Sequence, residues 1–308
     1  MSKTSITIKA PAKINLLLQI TGKRADGYHL LNSIMQSINL YDTIRIIKKE
    51  SLNQKIIIRN NYSNELQPFI KKNFDVPDEP EKNICGKVAV KLMNKYKIKN
   101  DIEIRINKRI PIGAGMGGGS SDGAAVARGL NELFDLKLTK SQLCANVKDI
   151  GADIPFNIYG GCAQVSGIGE KIRMLDPILP ENCGILIVYP DVQSSTVQVY
   201  KNHKLNLTNR KNYFKLIQNS VKSGSNIDEL EKLFINDLSE SADSLYKKFY
   251  EIKNRIARLT NKRVFMSGSG STLFMLFDNK NILSNYYKIF REKLNKCLIV
   301  KTTPLYNL

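Results

Sequence analysis

The sequence predicts a mixed fold of helices and strands, built either as two lobes sharing a contact or as one large domain, and three observations carry that reading. The chain has 308 residues, about twice the common domain size. It is 42% hydrophobic and 24% charged, the composition of a globular protein with a real core rather than a disordered or membrane-embedded one. Apolar residues recur with a period of two in some segments and at helical spacing in others, with glycine clusters between them.

In chain order, Ile6 to Ile20 reads as extended structure, with Ala12, Ile14, Leu16, Leu18 and Ile20 on one face and Lys13, Asn15, Leu17 and Gln19 on the other. Lys13 and Asn15 therefore project together. Gly22 to Tyr28, with Lys23, Arg24, Asp26 and Gly27, is turn chemistry, and Asp42 to Ile47 is a second extended run. Asn53 to Pro80 is polar and irregular, an expected exposed insertion, and a helix is expected from about Asn83 to Tyr96. Ile102, Ile104 and Ile106, alternating with Glu103 and Arg105, mark a half-exposed strand suited to antiparallel pairing. Ser120 and Ser121 are candidate N-caps for a helix burying Ala124, Ala125, Leu130, Leu133 and Phe134. Thr139 caps a further helix, which Gly151 is expected to end.

After Gly160-Gly161 short strands begin, Gly184 to Tyr189 among them, followed by helix-rich sequence from Tyr213 to Leu259. The end reads strand (Val264 to Met266), glycine loop (Ser267 to Gly270), strand (Thr272 to Phe277), helix (about Ile282 to Leu294) and strand (Leu298 to Thr302). A boundary near Gly161 divides the chain into domains 1–161 and 162–308.

Charge narrows the function classes less than it first promises. Lys and Arg number 47 against 28 Asp and Glu, a formal net charge of +19, which attracts nucleic acid, acidic lipid or phosphorylated small molecules. The lysines are scattered among Asn and Ile rather than interleaved with aromatics on one face, which weighs against a nucleic-acid module. Five cysteines without a Cys-x-x-Cys pair indicate neither a disulfide framework nor a zinc site. Lys13 interrupts the only early apolar run, and no run reaches the roughly 20 residues that cross a bilayer, so the expected compartment is the cytoplasm, with no membrane partner. His29 and His203 are the only histidines, too few for multi-histidine metal sites and poor material for a triad.

The densest chemical signal is Pro111-Ile112-Gly113-Ala114-Gly115-Met116-Gly117-Gly118-Gly119-Ser120-Ser121, opening onto a predicted helix. Glycine lets backbone N–H groups converge without side-chain interference, and a helix start adds partial positive charge, so the segment suits a polyphosphate. It is not a Walker A loop, because no Lys-Ser or Lys-Thr follows the glycines. Gly113, Gly115 and Gly118 formally satisfy G-x-G-x-x-G, but the preceding strand is amphipathic and set off by Lys108-Arg109-Ile110-Pro111, whereas a dinucleotide fold runs a buried parallel strand into the first glycine. A second glycine element, Met266-Ser-Gly-Ser-Gly-Ser271, is by itself as often a plain β-turn.

Together with Pro11-Ala-Lys-Ile-Asn-Leu16, these two loops resemble the three signature motifs of the GHMP small-molecule kinases, in their usual order. Pro11-Ala-Lys-Ile-Asn15 with Arg24-Ala-Asp-Gly-Tyr-His-Leu30 and Gly151-Ala-Asp-Ile-Pro155 is similar to the branch that phosphorylates cytidine-diphospho methylerythritol in the non-mevalonate route to isoprenoids. The resemblance runs from Thr7 to about Phe277 and is weakest over 53–80 and 201–262. It implies an α+β, two-lobe GHMP kinase fold: an N-terminal mixed-sheet lobe (ribosomal protein S5 domain 2-like) and a C-terminal ferredoxin-like lobe.

The resemblance also implies roles. ATP phosphates fall on Gly113 to Ser121, with Asn83 and Lys108 near the adenine end. Magnesium is expected with ATP, with no protein ligand assigned beyond a hydroxyl of Ser120 or Ser121 or, equally, water. Asp153 takes the acceptor's proton, while Lys13 stabilises the developing alkoxide and keeps the carboxylate ionised. Asn15, Tyr28 and His29 belong to the acceptor site, and Thr196 and Tyr200 stack on the cytosine. Read without the family, Lys13 is a solvated strand lysine, Asp153 a loop aspartate in an Asx-turn, and Tyr28-His29 a capped turn. The sequence departs from the family where Ser195 and Val197 replace prolines around Thr196, Met116 replaces leucine and Gly123 replaces alanine. The expected partner is this small molecule, not nucleic acid, with the chain a monomer or weak homodimer. The rival readings are a kinase for mevalonate, homoserine or a sugar, a basic nucleic-acid-binding protein, and a nucleotide-binding protein without catalysis.

Overall fold

The run Ala10 to Ile20 is buried on both of its faces, so its period-two pattern belongs to a strand with no solvent side. In this computed structural model, which describes residues 3–51, 53–70, 76–205 and 211–308, that strand is β1 (Ser5–Lys23), and it pairs with β2 (His29–Lys48). The turn between them closes through Arg24 N donating to Tyr28 O at 2.8 Å, with Gly27 at φ 89°. The extended run expected at Asp42 to Ile47 is the last part of β2, which begins at His29.

The chain forms two compact units, and they are interleaved. Met1–Ala12, Leu40–Ile112 and Gly117–Gly160 make the first; Lys13–Asn39, Gly113–Met116 and Gly161–Leu308 make the second. The expected domains were 1–161 and 162–308; in this division the last change of unit falls between Gly160 and Gly161, and residues 13–39 and 113–116 also group with the second unit.

In the first unit, β3 (Ile56–Tyr62), α1 (Ile84–Lys95) and β4 (Ile102–Lys108) follow in order. β4 pairs antiparallel with the end of β2, Ile44 opposite Ile106, and parallel with β3, Ile58 opposite Ile104. β3 corrects the expected irregular insertion: its polar sequence suits a strand with one buried anchor, Ile58, and backbone groups satisfied by β4. Residues 71–75 of that insertion lie outside the described residues. Glu103 sits among Lys49, Arg59 and Arg105 at 2.8 to 3.3 Å, and hydrogen bonds from Arg105 and then Lys49 hold its carboxyl down to about 2.

Three helices complete this unit: α2 (Gly118–Leu133), α3 (Lys140–Val147) and α4 (Ile154–Tyr159). Val88, Leu92, Ala124, Leu130, Ile46 and Ile104 are fully buried in its core, with Phe134 only partly so. Asn83 caps α1, and Thr139 caps α3 in a capping box with Gln142. The cap of α2 is Gly117, not Ser120 or Ser121. The chain enters that helix from a left-handed residue, φ 67°, which glycine adopts without strain, and the serines fall inside the first turns. Gly151 does not end α3, whose C-cap is Lys148, and Pro155 lies in the first turn of α4.

In the second unit, β5 (Cys162–Gly167) pairs with the first part of β2, Leu31 opposite Gly167, and β6 (Lys171–Met174) pairs with β5. The remaining elements are β7 (Gly184–Tyr189), α5 (Thr196–Asn202), α6 (Tyr213–Lys222), α7 (Ile227–Glu231), α8 (Ser239–Leu245), α9 (Lys247–Leu259), β8 (Phe265–Met266), β9 (Leu273–Phe277), α10 (Lys280–Lys293) and β10 (Leu298–Thr302). The four strands form an antiparallel sheet in the order β10-β7-β9-β8, with helices after β7 and between β9 and β10, which is ferredoxin-like. β7 and β9 are buried along their whole length, as their uninterrupted apolar sequences require. All five cysteines are free thiols. No helix among the described residues is long and apolar enough to cross a membrane.

Candidate active site

Lys13 is not the solvated lysine that strand position alone suggests. It is 4% exposed, and its Nζ donates to Asn15 Oδ1 at 2.6 Å. Asn15 and Lys13 are two residues apart on one strand face, so the bond costs no backbone distortion. Asn15 Nδ2 donates in turn to Ser33 Oγ at 2.8 Å, and Ser33 Oγ donates to Leu17 O. The ammonium is thus held by a relay anchored on β1 itself. Lys13 N also donates to Met116 O at 3.0 Å, tying β1 to the glycine loop.

The two glycine elements meet in the second unit. Gly115 has φ 76°, and a Cβ there would lie 2.2 Å from Ser267 O and 2.8 Å from Gly270 O, so only glycine fits. Ser267 Oγ donates to Gly115 O at 2.9 Å, and Thr272 N donates to Ala114 O at 3.1 Å. A Cβ on Gly268 would stand 2.9 Å from Gly115 O and 3.2 Å from Lys13 Nζ. Lys13, Gly115 and Gly268, one from each motif, are therefore neighbours, and Ser267-Gly-Ser-Gly270 is a partner of the first loop rather than a plain turn.

The first unit carries the rest of the glycine loop and Asp153. Pro111 is buried and Ile112 half-buried ahead of Gly113 at φ 64°. Gly117 turns the chain into α2, whose first-turn N–H groups at Gly118, Gly119 and Ser120 have no partner within the helix. Ser121 Oγ is buried there with no hydrogen-bond partner among the described residues. Asn83 is 3% exposed: its Oδ1 accepts from Cys85 N at 2.8 Å and its Nδ2 donates to Pro77 O at 2.7 Å. Lys108 is 2% exposed and its Nζ donates to the carboxylates of Asp42 and Asp122. Asp153 stands half-buried at the N-cap position of α4 without capping it. Its carbonyl accepts from Asn157 N and Nδ2, at 3.2 and 2.7 Å, which fixes the backbone from which the carboxyl projects.

The expected acceptor residues gather in the second unit. His29 lies 5.4 Å from the Tyr200 ring in a tilted pair and 6.3 Å from His203 edge-on. Tyr28 is exposed, with room to cover a planar ligand. Thr196 Oγ1 and Ser269 Oγ share a 2.9 Å hydrogen bond, Ser194 Oγ donates to Ser269 O at 2.6 Å, and Ser271 Oγ donates to Val192 O. The Asp191–Thr196 loop is thereby tied to the second glycine element. Ser195 takes the place of a proline by capping α5, its Oγ accepting from Gln198 N at 3.3 Å.

His29 titrates below its ordinary value, through burial first and then its neighbours Lys23 and His203. Depression favours the neutral imidazole, so the midpoint of its protonation lies below 6.5. If the neutral ring binds the acceptor, the acceptor KM is flat at alkaline pH and rises in acid with a midpoint below 6.5. His203→Ala should move that rise toward 6.5. A KM that climbs already above about pH 7 would remove His29 from acceptor binding.

Sequence reasoning missed Ser33, Ser269, His203, Asp42 and Asp122. Ser33 is one of several polar residues in β2, with Asn32, Gln36 and Ser37, so nothing local singles it out, whereas the scarcity of histidine was a signal for His203. Asp42 lies 66 residues from the lysine it meets, and no local pattern connects them.

Known proteins resemble this chain along nearly its whole length. The family described as "GHMP kinases N terminal domain" matches residues 83–161, and "GHMP kinases C terminal" matches residues 215–296. A 4-diphosphocytidyl-2-C-methyl-D-erythritol kinase of Acetivibrio thermocellus is 37% identical over 300 residues, covering 97% of this chain and 99% of the relative. The protein of that name from Clostridioides difficile is 38% identical over 275 residues, 89% and 88% of the two chains. The crystal structure of a 4-(cytidine 5'-diphospho)-2C-methyl-D-erythritol kinase matches with a TM-score of 0.75 at 25% identity, over 97% of this chain and 99% of that one. A mevalonate kinase structure, at 20% identity and a TM-score of 0.67 over 98% of this chain and 100% of that one, shares the fold.

Proposed function

Because the chain belongs to the 4-diphosphocytidyl-2-C-methyl-D-erythritol kinases of the GHMP family, we propose that it transfers the γ-phosphoryl group of ATP to the 2-hydroxyl of 4-(cytidine 5'-diphospho)-2-C-methyl-D-erythritol, a step of non-mevalonate isoprenoid synthesis. The observation that carries this reading is the convergence of three sequence-distant motifs on one buried ammonium: Lys13, held by Asn15, beside Gly115 and Gly268.

Phosphoryl transfer asks little covalent chemistry of a protein. It asks that the phosphates be held, their charge neutralised, and the attacking hydroxyl placed and relieved of its proton. Backbone N–H groups along Gly113 to Ser120 fit the polyphosphate, since positive-φ glycines turn the chain tightly and the first turn of α2, Gly118 to Ser120, has no partner within the helix. Asn83 and Lys108 serve the adenine end, with their polar heads engaged inside the unit. Magnesium accompanies ATP and shields its phosphates. The Ser121 hydroxyl, buried and without a hydrogen-bond partner among the described residues, would fit as a ligand to that ion, which would supply charge neutralisation at the phosphates.

Asp153 accepts the proton of the acceptor hydroxyl, and Lys13 stabilises the alkoxide that forms. Asn15 keeps Lys13 aimed. Tyr28 and Tyr200 offer faces to the cytosine, while His29 and Thr196 offer hydrogen bonds to its edge. The protein works in the cytoplasm, as a monomer or weak homodimer, on small molecules rather than nucleic acid.

ADP release measured side by side with the cytidine-diphospho conjugate, mevalonate, homoserine and galactose tests the assignment. Release is expected with the cytidine conjugate alone. Release only with mevalonate or homoserine would keep phosphoryl transfer and discard the cytidine site. No release with any of the four, together with salt-sensitive binding of RNA or DNA, would replace the kinase reading with that of a basic nucleic-acid-binding protein.

A further inference from the structure

A buried charged cluster centred on Lys108 joins the two ends of the glycine loop. Asp42 in β2 is fully buried, and its Oδ1 accepts from Arg109 N at 2.5 Å and Ile110 N at 2.8 Å, the residues that lead into the loop. Its Oδ2 accepts from Lys108 Nζ, which donates also to Asp122 Oδ2 at 2.6 Å, in α2 just beyond the loop. Gly118, the first residue of α2, stands on the same group: a Cβ there would lie 3.0 Å from Ile110 Cγ2 and 3.5 Å from Lys108 Nζ. Strand end, ammonium and helix start are one packed assembly.

Strength alone does not explain it. Burying a lysine and two aspartates is costly, and an apolar trio of the same volume would stabilise the core as well or better. Ions supply direction instead: charge-assisted hydrogen bonds fix distances that apolar packing leaves soft. Burial works to discharge Lys108, but the carboxylates of Asp122 and Asp42 outweigh it and hold the ammonium charged.

We infer that the Asp42–Lys108–Asp122 cluster is a positioning device for ATP, setting the spacing of Ile110 from Gly118 and so the alignment of the backbone N–H groups that receive the polyphosphate. The inference rests on the reading of the glycine loop as the ATP phosphate site. Asp122→Asn keeps the shape of the side chain and removes the charged acceptor. Its KM for ATP should rise about tenfold, the effect of one charge-assisted hydrogen bond, while the acceptor KM stays at the wild-type value. Leu143→Ala, a core change in α3, is the control: the thermal midpoint falls and the KM for ATP does not move.

If Asp122→Asn loses stability as Leu143→Ala does yet keeps the wild-type KM for ATP, the cluster is structural only and the inference fails. Should Asp122→Asn not fold, hydrogen exchange on the wild-type protein decides. The Arg109 and Ile110 amides, donors to Asp42, should gain protection when a non-hydrolysable ATP analogue binds, and no gain overturns the inference. A wild-type protein that binds no ATP analogue at all instead sinks the kinase reading beneath it.

Discussion

Asp153→Asn is expected to lower kcat by about three orders of magnitude while leaving the KM for ATP within about threefold of wild type. The amide matches the carboxylate in size, so the start of α4 should survive: its backbone is held by Asn157, and the side chain makes no capping bond that the change could break. What the amide cannot do is take up the acceptor's proton. Single-turnover measurement at saturating ATP and acceptor reads this loss directly, and titration with an ATP analogue reads the retained binding. Near-normal turnover would remove Asp153 from the mechanism. Loss of ATP binding along with turnover would recast it as part of the nucleotide site.

Expectation and structure part company in instructive places. The strands and helices after Val264 stand within two residues of where local pattern puts them, because β9 and β10 are apolar runs between turns and α10 has an asparagine cap. Local pattern also placed α1 at about Asn83 to Tyr96, the two residues that flank it as caps. It failed where a partner far along the chain decides. Ile56–Tyr62 looks like loop until β4 supplies its hydrogen bonds. Lys108 looks like a solvated strand end until Asp42 and Asp122 meet it. The interleaving of the two units arises because β1 leaves the first at Ala12, a change of packing partner that no composition shift marks. The site was legible for a different reason. Glycines at Gly115 and Gly268 are dictated by carbonyls 2.2 and 2.9 Å from where a Cβ would be, and a constraint that hard leaves a readable sequence signature. The relay behind Lys13 tolerates more than one polar residue type, and so Ser33 carried no such mark.

Lys13→Met should lower kcat by about two to three orders of magnitude, the scale of losing one preorganised charge at a developing oxyanion. The methylene stem of methionine fills the same strand position, and β1 keeps its other anchors: Leu18 N donates to Ile235 O, and Ile20 N to Asp237 Oδ2 at 2.7 Å. Stability should change little or even rise, since burying an ammonium at 4% exposure is unfavourable and methionine removes that burden. Lys13→Arg should rescue poorly despite keeping the charge. Nζ already stands 3.2 Å from the point where a single carbon on Gly268 would sit, and a planar guanidinium is larger than an ammonium. Ser33→Ala gives the graded control, because it cuts the relay one bond behind Asn15 without touching Lys13. A modest fall in kcat there, with unchanged KM for both substrates, is the signature of a loosened ammonium. If Lys13→Met turned over at the wild-type rate, the buried lysine would be a structural charge, and the convergence of the three motifs would need another explanation than catalysis.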